Sequence, residues 1–148
     1  MEVKTQARGR VVAGLLVLLM LKGCSVSPML HVFNHTQVPI SFEAGGEHHA
    51  AGPMASASFV LEAPVVGNAA DCRLEYEAPY PPPEYIRTGF FRAHIRMQIE
   101  PGGLLYLLQP GAQSPADVTG QRQPRGYPVA PSATGKCDWG TGGQLNSP

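Results

Sequence analysis

Charge is scarce in this chain: only 15% of its 148 residues are Asp, Glu, Lys or Arg, and the two signs balance at 11 each. Beyond residue 23, seven basic and ten acidic side chains remain, a net charge of −3 with no basic cluster. That balance excludes nucleic acid as an expected partner, because backbone recognition needs concentrated cations. Long apolar runs are also missing. The longest, residues 11–21, has eleven members, short of the ~18 that a membrane-spanning helix requires. Nothing repeats at a fixed period. There is no Gly-x-Ser-x-Gly elbow, no glycine loop leading into Lys-Ser/Thr, and no His-x-His or Cys-x₂-Cys spacing. Hydrolase, nucleotide-binding and zinc-ribbon chemistry therefore lack their usual residue patterns. Glycine and proline are plentiful instead, at 17 and 15 residues. Such punctuation breaks long helices and favours short strands joined by turns.

What is present begins at the N-terminus. Lys4, Arg8 and Arg10 precede the eleven-residue apolar run, and Leu21-Lys22-Gly23-Cys24 follows it. Eleven helical residues span about 16 Å, roughly half a bilayer core, which suits the apolar region of an export signal. Leu21 at −3 is too large for the ordinary small-residue cleavage site. With Cys24 at +1, Leu21, Gly23 and Cys24 resemble the lipobox of bacterial lipoproteins, Lys22 departing from the small residue that family prefers. The resemblance covers the first 24 residues. It implies a signal peptide over residues 1–23, which would form a signal helix, and a Cys24 carrying a diacylglycerol and a fatty acyl (palmitate-type) chain. Ser25, in place of Asp at the next position, implies an outer-membrane location facing the periplasm. Several acyl chains make a stable anchor where one is marginal.

After a tether over residues 24–28, the chain reads as strands. Residues 29–34 are β-branched and aromatic; residues 38–43 alternate, with Pro39 placing that strand at an edge. Residues 44–46 turn, and residues 52–53 break the chain again. Residues 55–63 and 72–78 alternate, the latter turning Cys72, Leu74 and Tyr76 inward. Residues 67–71 read as a loop and residues 79–83, with four prolines around Tyr80, as a stiff connector.

Residues 91–100 form the most regular stretch. Phe91, Ala93, Ile95, Met97 and Ile99 face one way, and Arg92, His94, Arg96, Gln98 and Glu100 the other. A phase change near residues 89–91 predicts a bulge. Residues 104–109 return as an apolar strand, making residues 85–109 the core hairpin. Residues 110–148, with 13 Gly or Pro among 39, read as coil held in part by Cys137 and Trp139. The expectation is a mainly β chain: a small antiparallel β-sandwich, immunoglobulin-like or similar, over residues 29–109, followed by a glycine- and proline-rich tail.

Four sets of residues stand as site candidates. Cys24 is the lipidation site. Cys72 and Cys137, an even pair in an exported chain, form a candidate disulfide. Arg92, His94 and Arg96 on one strand face, with Tyr80 in the proline segment, are the candidate partner-binding residues. His48 and His49, with His31 or His35 if their strands neighbour one another, are the weaker alternative of a metal site. Adjacent strand residues point to opposite faces, and no metal or other cofactor beyond the covalent lipid is expected. The functional expectation is a non-enzymatic, lipid-anchored envelope protein that binds or supports another envelope protein. A periplasmic metal-binding protein and a surface inhibitor or adhesin-like module are the alternatives.

Overall fold

The computed structural model describes residues 27–62 and 65–139. The expected export signal over residues 1–23, the expected lipidation site Cys24 and residues 140–148 lie outside the described residues.

The chain is mainly β and forms two five-stranded sheets packed face to face. The strands are β1 (Met29–Asn34), β2 (Ile40–Ala44), β3 (Glu47–Ala51), β4 (Ala55–Val60), β5 (Val65–Ala69), β6 (Cys72–Tyr76), β7 (Ile86–Thr88), β8 (Ala93–Ile99), β9 (Leu105–Leu108) and β10 (Ser132–Gly135). The first sheet runs β4-β1-β8, with β7 and β9 end to end along the far edge of β8. The second runs β10-β6-β5-β2-β3. All pairings are antiparallel except β1 with β8, which run parallel with Met29 opposite His94 and Asn34 opposite Ile99.

Inward positions supply the core. Leu30 and Val32 of β1, Phe59 of β4, and Ile95, Met97 and Ile99 of β8 face Ile40 and Phe42 of β2 and Leu74 and Tyr76 of β6. Phe42 and Phe59 meet across the interface with ring centroids 5.4 Å apart. The alternation read in β6 and β8 places Cys72, Leu74, Tyr76, Ile95, Met97 and Ile99 as expected, whereas Phe91, expected on the same inward face, falls in the loop before β8 and is 80% exposed. Cys72 is buried, and Cys137 stands at disulfide distance from it, with Cα atoms 4.8 Å apart.

Several expectations change. β2 is not an edge strand, because β3 and β5 flank it; Pro39 falls just before Ile40 and removes no donor from the ladder. No bulge explains the phase change near residue 90. Residues 89–92 are a tight loop between β7 and β8, closed by the Gly89 N–H donating to the Arg92 carbonyl at 2.8 Å. Residues 67–71 are not simply a loop, since β5 runs through Ala69. β3 follows β2 across Gly45-Gly46, whose φ values of 59° and 79° fit a two-residue hairpin turn that only such residues adopt readily.

The tail is mostly irregular but closely tied to the sheets. The Gln98 amide donates to the Ala116 carbonyl and accepts from its N–H, at 2.8 and 2.9 Å. Gln123 does the same for Leu107, at 3.2 and 2.9 Å. Leu105 and Val129 exchange both backbone bonds at 2.9 Å. The Gln123 amide and the Val129 backbone thus act as an additional strand along the open edge of β9, which limits edge-to-edge association. Trp139 ends this wrap, buried to 1% exposure.

Candidate functional site

The two sheets do not close on each other along their whole length. A cavity of about 620 Å³ opens between them, within the ~300–1,000 Å³ range of small-molecule sites. Leu30 and Val32 of β1, Met97 and Ile99 of β8, and Leu105 of β9 form one wall. Phe42, Val65 and Tyr76 form the opposite wall. Glu77, Ala78, Pro79 and Tyr80 are the exposed residues of the lining and mark its mouth. Leu61 lines the cavity where the chain enters the fold, its N–H donating to the Pro28 carbonyl at 2.8 Å.

The buried hydroxyls of this lining are already occupied. The Tyr76 hydroxyl donates to the Gly103 carbonyl at 2.9 Å, and the Tyr127 hydroxyl to the Pro79 carbonyl at 2.6 Å. Burial raises the pKa of both phenols, that of Tyr127 to about 12. Neither ionises near neutral pH, so the walls present apolar surface with Glu77 at the rim. Gly103 fits here for two reasons. Its φ is +80°, and a Cβ would stand 2.9 Å from Trp139 Cζ2. An enclosed empty space of this size would, at ~24 cal/mol per Å³, cost on the order of 15 kcal/mol, the full stability of many domains. The cavity is open at its mouth instead, and apolar walls are poor hosts for water.

A second polar cluster lies on the outer face of the first sheet. His31 Nδ1 is 2.7 Å from Ser58 Oγ, and His31 Nε2 is 2.9 Å from His94 Nδ1. Three adjacent strands place these groups, with His31 directly opposite Ser58 and diagonal to His94. Burial lowers the His31 pKa, with His94 and Arg96 adding to the effect. The order Ser-His-His has the form of a nucleophile, base and orienting group. None of the three lines the cavity, and they sit on an open sheet face.

The sequence candidates separate in space. Arg96 is drawn under the tail, donating to the Ala112 carbonyl and, at 3.2 Å, to Ser114 Oγ. His94 is committed to His31, and Arg92 is exposed in the β7–β8 loop. Tyr80, 67% exposed, stands at the cavity mouth instead. His48 is exposed on β3, while His49 stacks on Phe59 with centroids 5.0 Å apart and lies 3.8 Å from Glu47. His35 pairs with Glu100 at 2.9 Å. Among the described residues no group of three or more His, Cys, Asp or Glu could hold a metal ion. No described helix is long and apolar enough to cross a membrane.

Sequence reasoning missed the cavity because its lining comes from eight separate segments. The one local signal was the proline-rich stretch around Tyr80, which cannot fold down as a strand and leaves the space open. No protein-family model, curated protein or solved structure matches the chain.

Proposed function

We propose that this chain is a lipid-anchored envelope protein with a non-catalytic binding role, and that its ligand is an apolar chain taken into the intersheet cavity. The cavity itself is the observation that supports this reading. Its walls are apolar, its two buried phenols are spent on backbone carbonyls, and its mouth is framed by the stiff segment from Glu77 to Pro81. The Glu77 carboxylate at the rim disfavours an anionic head beside it, so the fitting ligand is a lipid whose head is neutral or cationic. The anchor reading rests on the Leu21–Cys24 motif and supplies proximity to lipid. Residues 25–27 alone separate Cys24 from the Pro28 carbonyl that Leu61 binds.

The test is titration of the Cys24→Ser chain with a fluorescent monoacylglycerol. Saturable 1:1 binding is expected. Ala78→Trp, which fills the mouth from an exposed position, should weaken it at least about tenfold, a loss of ~1.4 kcal/mol, with the melting temperature unchanged. No binding, or equal binding by both proteins, would contradict the proposal.

A further inference from the structure

The most exposed large apolar side chains in the described residues are adjacent. Phe90 is 93% exposed and Phe91 80%, at the tip of the β7–β8 hairpin. Their rings pack edge to face at 4.7 Å. The hairpin holds them out firmly, since Thr88 pairs with Ala93, the Gly89 N–H closes the loop onto Arg92, and β8 is zipped into the sheet by β1. Two neighbouring aromatic rings presented to water mark a contact surface rather than scattered exposure. Arg87 and Arg92, both exposed, flank them.

Topology says which way the tip points. β1 and β8 run parallel, and Met29 lies opposite His94. The tip precedes Ala93 in the chain, and Pro28, through which the described chain enters, precedes Met29. Both therefore project from the same end of the sheet. Cys24 is five residues before Met29, a reach of at most about 17 Å; Phe90 is four residues before His94, at most about 14 Å. An acylated Cys24 and the Phe90–Phe91 tip can thus meet one flat surface together.

We propose that this hairpin tip is a membrane-inserting finger: Phe90 and Phe91 enter the interface of the anionic bilayer that holds the Cys24 lipid, while Arg87 and Arg92 lie among its headgroups. The proposal rests on the anchor reading and goes beyond it by fixing how the domain stands on the membrane. Aromatic rings favour this interfacial layer, and cations near it are drawn to anionic lipid. The finger supplements the acyl chains, and it holds the cavity-bearing domain at the lipid surface in one orientation.

The experiment uses the full acylated chain in vesicles of phosphatidylethanolamine and phosphatidylglycerol whose acyl chains carry bromine, a contact quencher of tryptophan. Phe90→Trp places a reporter in the tip, and Thr119→Trp places one in an exposed turn just past Ala116, whose backbone bonds Gln98 near the opposite end of β8. Native Trp139, buried, gives a constant background. The expected result is co-flotation of both variants, with emission from Phe90→Trp quenched and blue-shifted and emission from Thr119→Trp unchanged. Co-flotation without quenching at position 90 would overturn the finger and leave the anchor standing, assigning the aromatic tip to a protein partner. Failure to float would remove the anchor and the proposal with it.

Discussion

His31 shows how a side chain with an ordinary sequence context becomes a pH-sensitive part of the fold. Its ring sits between Ser58 and His94 and stacks on the latter with centroids 5.2 Å apart. Burial foremost, then His94 and Arg96, hold its pKa below the usual 6.5. The unfolded chain consequently takes up a proton at His31 more readily than the folded chain does. Stability should fall as pH drops through about 6.5 towards the lower folded value, since protonation is then favoured by unfolding. His31→Gln keeps a donor and an acceptor without the titration. Melting temperatures measured between pH 8 and pH 5 should decline less steeply for this variant than for the parent. Parallel declines would show that His31 does not carry the effect. None of this was visible in the sequence, because the three partners come from strands joined only by tertiary pairing. Asn34 is a comparable case. The buried Asn34 amide donates to the carbonyls of Val38, Ala51 and Gly52, partners that its sequence neighbours do not reveal.

At the scale of elements, β8 carries the architecture. Its inward face, Ile95, Met97 and Ile99, was legible from strict alternation, and each is nearly inaccessible. Its other face read as a polar face offering Arg92, His94 and Arg96 to a partner, whereas Gln98 is fully buried and Arg96 bonds the tail. Period-2 patterning reveals which side chains share a face, but a polar face covered by a loop looks the same as one facing water. Ile95→Asp should therefore be the most damaging change in this strand, costing several kcal/mol for an unpaired buried carboxylate. Arg96→Asp should cost less but not nothing, roughly 1–2 kcal/mol for lost hydrogen bonds to Ala112 and Ser114. Thermal or urea unfolding of the two variants checks this order, and equal destabilisation would contradict it. β3 and β5 escaped reading for a related reason. Glu-His-His-Ala-Ala and Val-Val-Gly-Asn-Ala have weak or interrupted strand preference, and pairing with β2 decides their conformation. Gly67, read as part of a loop, pairs with Phe42 inside the sheet, and a Cβ there would meet Ile40 Cγ2 and Phe42 Cε1 only at ordinary contact distances of 3.6 and 3.7 Å.

Across the whole molecule, the features on which the two proposals rest collect around the point where the chain enters. Leu61 of the cavity lining binds Pro28, the Phe90–Phe91 tip overhangs the same end of the sheet, and Cys24 lies a few residues upstream. The sandwich class followed from short alternating stretches punctuated by glycine and proline, whereas the number of strands and the parallel β1–β8 pair depended on contacts far apart in sequence. The tail contributes order out of proportion to its apolar content, through Gln98, Gln123, Val129 and the approach of Cys137 to Cys72. This arrangement makes physical sense if lipid lies just beyond residue 28. Metabolic labelling with a fatty-acid analogue tests that directly: the wild-type chain should take up the label and Cys24→Ser should not, whereas equal labelling of both, or none of either, would contradict it.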